Sequence, residues 1–120
     1  MKTKIDKLLI QLMNLHPKYI DLSLDRIKAL LNKLGNPHLN LSPTIHIAGT
    51  NGKGSTLSYL KHILNYNGYS VNAYISPHLS KFNERIVLNN KEVSTKKLLT
   101  CLQYVKSVNQ GKPITFFEIT

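Results

Sequence analysis

The chain has 120 residues, enough for one domain with a core of modest size. Its apolar share of 42% and charged share of 18% are those of a soluble globular protein, and no apolar run is long enough to cross a bilayer. With 16 basic against 6 acidic residues the net charge of +10 suits a polyanionic partner such as a nucleotide, but the basic residues are scattered and no aromatics alternate with them, which argues against a surface that stacks nucleic-acid bases.

Ile5, Leu8, Leu9, Leu12 and Met13 recur at the spacing of one helix face, and His16-Pro17 ends the pattern. Lys4, Lys7, Gln11 and Asn14 interrupt this stretch, unlike the unbroken core of a secretory signal, so export is not expected. Ser23 is placed to cap a second helix, with Asp25 in its first turn, apolar residues at 24, 27, 30, 31 and 34, and Gly35 as its stop. Residues 44–48 alternate and are β-branched, which predicts a short strand running into a glycine-rich stretch. A helix over 53–67 follows, with Leu57, Leu60 and Leu64 on one face and Gly68 closing it.

Residues 71–75 predict a second strand, and the helix between the two implies a right-handed parallel crossover, a βαβ unit. After a loop over 76–83, residues 85–88 and 91–93 flank Asn89-Asn90 and predict a hairpin. Ser94 can cap a helix running to Asn109 with apolar positions 98, 101, 102, 105 and 108, before Gly111 and Pro113. Cys101 falls within that pattern and reads as packing; as the sole cysteine it builds no internal disulfide, and a reducing cytoplasm is the expected setting. Thr115-Phe116-Phe117-Glu118 has the spacing of a capping box and opens a further helix. The fold expected is α/β, a mostly parallel sheet with helices on both faces and its ligand at the C-terminal ends of the strands.

Chemistry concentrates in Gly49-Thr50-Asn51-Gly52-Lys53-Gly54-Ser55-Thr56, between a predicted strand and a predicted helix. Backbone N–H groups and the helix dipole favour phosphate there, glycines let the backbone approach the oxygens, and Lys53 adds a mobile cation for the terminal phosphates. ATP is the ligand this predicts. The loop departs from a strict Walker A pattern, because Ile47 stands where the first glycine belongs and Gly54 replaces the hydroxyl after the lysine. A hydroxyl ligand for Mg²⁺ then has to come from Ser55, Thr56 or elsewhere, and Ser76 after the second strand is positioned to serve; its blander role is that of a turn residue before Pro77.

The segment His46-Ile47-Ala48-Gly49-Thr50-Asn51-Gly52-Lys53-Gly54-Ser55 is similar to the phosphate loop of Mur-type ATP-dependent amide ligases, and the Gly54-Ser55 ending resembles the folate branch. Three more segments match that branch in order: Asp21-Leu22-Ser23-Leu24-Asp25-Arg26, then Ser76-Pro77-His78-Leu79 with Phe82-Asn83-Glu84-Arg85, then Thr115-Phe116-Phe117-Glu118. Nearly the whole chain thus resembles the dihydrofolate synthase and folylpolyglutamate synthase family.

The resemblance implies the N-terminal part of a P-loop-like ATPase domain over residues 1–120, with the rest of that domain, further metal ligands and a C-terminal domain lying beyond Thr120. It implies an ATP-dependent ligase that activates dihydropteroate or a folate as an acyl phosphate and joins L-glutamate to it, with ATP and Mg²⁺ as cofactors. Its partners are small molecules, with neither nucleic acid nor membrane, and it is a monomer. Lys53 is the catalytic residue in this reading, residues 49–56 hold nucleotide and Ser76 binds the metal. Asp21, Leu22, Ser23 and Leu24 line the pterin pocket, although Ser23 replaces the family's glycine, and Thr115, Phe117 and Glu118 match substrate-contacting positions.

Blander roles stand beside these: Glu118 completes a capping box, Phe116 or Phe117 belongs to the core, and Asn83, Glu84 and Arg85 are structural, with Arg85 paired to an acid. His78 makes an ordinary hydrogen bond, and His16, His38, His46 and His62 lack metal spacing. The competing functions are a cell-wall Mur-type peptide ligase and a basic nucleic-acid-binding P-loop module.

Overall fold

Thr3 starts the first helix, α1 (Lys4–Met13), with a reciprocal cap: its N–H donates to the Asp6 carboxylate at 2.8 Å, and its hydroxyl accepts from the Asp6 N–H. The computed structural model describes all residues except Met1, Lys2, Tyr19 and Ile20. The chain divides into two compact units, Met1–Ser42 with Thr95–Thr120, and Pro43–Ser94.

The first unit is helical. The second helix, α2 (Asp25–Lys33), ends where Gly35 takes φ 80°: the Asn36 N–H bonds to Leu31 O at 2.8 Å and the Gly35 N–H to Asn32 O at 3.0 Å. That pair of bonds satisfies the last carbonyls and fits a glycine stop. A 3₁₀ turn, Pro37–Asn40, follows. The expected Ser23 cap is not made. Leu24 occupies the cap position, and Ser23 lies one residue outside, its hydroxyl 3.4 Å from the Asp25 N–H. The reason is a tighter turn in front, in which the Asp21 carboxylate accepts the Ser23 N–H at 3.1 Å.

The long helix α4 (Thr95–Asn109) and the single turn α5 (Phe116–Ile119) complete this unit. Leu8 and Leu12 of α1, Leu30 of α2, Leu98 and Leu102 of α4, and Ile114, Phe116 and Ile119 form its core. α1 and α4 each contribute a stripe, as the periodicity requires, and α2 contributes Leu30. Cys101 is exposed, which corrects its reading as packing. The buried stripe of α4 runs through 98, 102 and 109 at steps of four and seven, and leaves position 101 outside it.

In the second unit α3 (Lys53–Tyr66) ends as α2 does, with Gly68 at φ 83°, Tyr69 N–H on Leu64 O and Gly68 N–H on Asn65 O, both 3.0 Å. The strands β1 (Ala73–Tyr74), β2 (Ile86–Leu88) and β3 (Lys91–Glu92) form a sheet in that order, with Ala73 opposite Val87 and Leu88 opposite Lys91. Asn89 and Asn90 both adopt left-handed φ, 48° and 65°, the conformation that a two-residue hairpin of matching twist needs. The hairpin is as the sequence predicts.

The parallel crossover is not found among the described residues. Both strand pairs are antiparallel, β1 pairs with the hairpin, and residues 44–48 belong to no strand. Alternation and β-branching make a segment fit for a sheet, but a strand exists only once a neighbour takes its hydrogen bonds.

Candidate nucleotide and substrate sites

Gly52 caps α3 with φ 76° and no side-chain hydrogen bond at the helix start, so the first N–H groups of the helix stay open toward the loop. Residues 49–56 are all exposed. Nothing lies within 4 Å of where a Cβ would stand on Gly52 or Gly54, so the loop has room for an approaching phosphate. The Lys53 ammonium curls back to donate to Gly49 O at 2.5 Å, and the Thr56 hydroxyl donates to Gly52 O at 2.8 Å. Thr56 is thereby tied to its own helix, which leaves Ser55 as the hydroxyl beside the lysine that makes no such bond.

Ser76 is exposed in the segment that follows β1. That segment is held by Glu84, whose carboxylate accepts the N–H groups of Leu79, Ser80 and Lys81 at 2.8, 2.9 and 2.8 Å. The bonds from Lys81 and Leu79 hold the Glu84 carboxyl below the usual glutamate range. Asn83 is buried and donates to Val93 O at 2.8 Å, tying the loop to the end of the hairpin. Arg85, also buried, donates from Nε to Nδ1 of His78 at 2.8 Å and lies over the Phe82 ring. His78 therefore has an ordinary hydrogen bond, and the partner seen for Arg85 Nε is this imidazole. Among the described residues no three His, Cys, Asp or Glu side chains cluster as a metal set.

In the first unit the structure joins two of the predicted segments through a residue to which the sequence assigned no role. Arg26 donates from Nε and an Nη to the two carboxylate oxygens of Glu118, each at 3.1 Å, and the same Nη lies 3.2 Å from the Asp21 carboxylate. That Nη also lies 3.3 Å from Asp21 O and 3.5 Å from Ser23 O. A guanidinium fork is suited to this bidentate grip. Bonds to Ser23 and then Arg26 lower the Asp21 pKa. Burial pushes that of Glu118 up, but the Arg26 and Thr115 hydrogen bonds outweigh it and leave it below the usual range. The Glu118 pair raises the pKa of Arg26.

Around this ion pair Leu22 and Leu24 are exposed, Leu22 at 89%, and Phe117 offers a ring at 41% exposure while Phe116 is core. Thr115 is buried at 2%; its hydroxyl and N–H both bond the Glu118 carboxylate, so its visible role is the cap. Arg26 was not foreseeable as a hub, because its partner stands 92 residues away; the one signal was an arginine inside the same motif as Asp21.

No protein-family profile matches the chain. The dihydrofolate synthase/folylpolyglutamate synthase of Haemophilus influenzae is 37% identical over 105 residues, 88% of this chain and 24% of that protein. The structure of Escherichia coli FolC in complex with DHPP and ADP superposes with a TM-score of 0.82 at 34% identity, covering 98% of this chain and 28% of that one. Over most of its length the chain is similar to members of the dihydrofolate synthase/folylpolyglutamate synthase family. The bifunctional folylpolyglutamate synthase/dihydrofolate synthase of Yersinia pestis, solved with AMPPNP and a Mn ion, gives a TM-score of 0.79 at 31% identity, over 98% of this chain and 28% of that one. The chain thus spans about a quarter of the length of these family members. As in the sequence reading, the likeness runs through the whole chain and not through the glycine loop alone.

Proposed function

We propose that this chain is the nucleotide-gripping part of an ATP-dependent amide ligase that joins L-glutamate to dihydropteroate or to a folate through an acyl phosphate. The observation that carries the proposal is the loop at the start of α3: exposed N–H groups, left-handed Gly52 and the Lys53 ammonium at one helix end. Relatives of this family solved with ADP, or with AMPPNP and Mn, support it.

The residues fit a nucleotide and its metal. The N–H groups of residues 49–55 cradle the phosphates, and Lys53 leaves Gly49 O to follow the charge that builds on the transferred group, a change worth most in the transition state. Ser55 and Thr56 line the same turn, and Ser76 would contribute one hard oxygen to Mg²⁺. When bound, Mg²⁺ neutralises phosphate charge and aligns the groups for transfer. Asp21, Leu22, Ser23, Leu24, Thr115, Phe117 and Glu118 form the pterin-binding face, with the Phe117 ring stacking on the flat heterocycle. Catalysis is otherwise a matter of holding the substrate carboxylate in line with the terminal phosphate.

In this reading residues 44–48 and 71–75 become strands of a mostly parallel sheet covered by helices on both faces in the whole protein. The enzyme is a cytoplasmic monomer whose partners are small molecules.

The test is ATP turnover by the protein at its full natural length. Phosphate release that needs both dihydropteroate or a folate and L-glutamate, and that Lys53→Ala lowers by about a hundredfold or more, bears the proposal out. Turnover that instead needs a UDP-linked peptide precursor assigns a cell-wall ligase. Salt-sensitive nucleic-acid binding that is indifferent to Lys53 assigns the basic module.

A further inference from the structure

We infer that Arg26 is a positioning residue for the pterin side of the site: it locks the segment Asp21-Leu22-Ser23-Leu24 to the α5 turn so that Leu22, Leu24 and Phe117 present one preformed surface. The inference rests on the substrate class proposed above and adds to it a residue that acts without touching substrate.

Arg26 stands in the first turn of α2, and its guanidinium reaches both ways. On one side it fills both oxygens of Glu118, the residue that also closes the cap of α5 by accepting the Thr115 N–H at 2.8 Å and hydroxyl at 2.9 Å. On the other it meets the Asp21 carboxylate at 3.2 Å and, at 3.3 and 3.5 Å, the carbonyls of Asp21 and Ser23, that is, the backbone of the segment itself. The segment has no regular secondary structure to hold it. Its apolar side chains, Leu22 and Leu24, are 89% and 60% exposed and gain no packing that would fix their direction. What fixes it is the Asp21 turn and this one guanidinium.

The arrangement has a specific consequence. Loosening the grip leaves the helices and core intact, because the core of this unit is built from Leu8, Leu12, Leu30, Leu98, Leu102, Ile114, Phe116 and Ile119. It releases the segment, and the pterin substrate then has to order it on binding, a cost that appears in affinity for that substrate alone. Lysine at 26 keeps the charge but forms no fork, so it restores part of the effect.

The experiment is steady-state kinetics on the full-length protein with all three substrates varied, for the unaltered enzyme, Arg26→Gln and Arg26→Lys. Expected for Arg26→Gln is a KM for the pterin substrate raised about tenfold, with the KM values for ATP and glutamate and the saturated kcat within about twofold. Arg26→Lys falls between, and both variants keep the helix content of the unaltered enzyme while melting somewhat earlier, because the part-buried Glu118 carboxylate loses its partner. An unchanged pterin KM in Arg26→Gln overturns the inference, as does a rise in all three KM values together with a loss of helix content, the mark of a merely structural role. If the unaltered enzyme turns over ATP with no pterin requirement, the substrate reading itself is overturned and takes the inference with it. Pterin-dependent turnover in which only Arg26→Gln fails to behave as expected overturns the inference alone.

Discussion

Gly52 takes φ 76° at the junction where the loop becomes α3, a conformation in which a Cβ presses on the following carbonyl. Nothing within 4 Å obstructs a methyl group there, so Gly52→Ala meets only the backbone penalty, about 1 kcal/mol. The folded chain tolerates that. Nucleotide binding does not escape it, because the same strain moves the N–H groups that face phosphate, and calorimetry with Mg-ATP is expected to show weakened binding with near-native melting. A loss of folding without any loss of affinity in the folded fraction would contradict this. Asp21 and Glu118 carry a second prediction. Both carboxyls sit below the usual range, chiefly through the Ser23 N–H for Asp21 and, against burial, through Arg26 and Thr115 for Glu118. The unfolded chain therefore binds more protons in mild acid than the folded one, and stability falls as the pH drops. The contribution is complete above the usual carboxylate range and is lost as the pH passes down through the lowered folded-state values. Melting of Glu118→Gln measured down the pH scale is expected to fall less steeply than that of the unaltered chain. The turn into α3 was legible because glycine and lysine at the head of a helix state a local requirement; the link through Arg26 was not, since a guanidinium carries no mark of which carboxylate, near or 92 residues distant, it will meet.

At the scale of elements, caps and stops were the most readable features. Thr3 with Asp6 and Thr115 with Glu118 form reciprocal boxes, and Gly35, Gly68 and Gly111 end helices with positive φ. Each is a local bargain between neighbouring residues, so spacing alone announces it. Thr115→Ala removes the hydroxyl from the α5 cap and, by loosening Glu118, from the support of Arg26; a loss of about 1 kcal/mol in denaturant unfolding is the expected outcome. Strands were read less well, for a different reason. The hairpin could be found because its turn is encoded by Asn89-Asn90, whereas residues 44–48 offer a β pattern with no turn to say which neighbour completes it. The parallel pairing was inferred from the helix between two β patterns, and β1 instead takes its hydrogen bonds from β2, the strand its own downstream loop brings back. Ser23 failed as a cap because Asp21 captured its N–H, a competition between two local motifs that share this one residue.

At the scale of the whole molecule, the second unit keeps apolar surface exposed on α3. No residue of α3 is fully buried, and Tyr59, Ile63 and Tyr66, at steps of four and three, are 71%, 59% and 93% exposed. On another face Leu57, Leu60 and Leu64 are half-buried. A helix apolar on two faces is suited to cover on both, and a contiguous exposed stripe of this kind is a surface for contact. The family members are about four times as long as this chain, which gives such a stripe chain to pack against in the proposed sheet-and-helix architecture. Opposing association of the 120-residue chain with itself is its net charge of +10, which repels like copies but is screened by salt. These two terms make a joint prediction. The chain by itself is expected to enhance the fluorescence of a hydrophobic dye and to self-associate more as ionic strength rises, seen by sedimentation. Ile63→Lys with Tyr66→Lys removes the centre of the stripe and adds charge, so both signals should fall while helix content by circular dichroism is unchanged. Dye binding that survives the double substitution would place the sticky surface elsewhere, and association that weakens with salt would show that charge, not the apolar stripe of α3, draws the copies together.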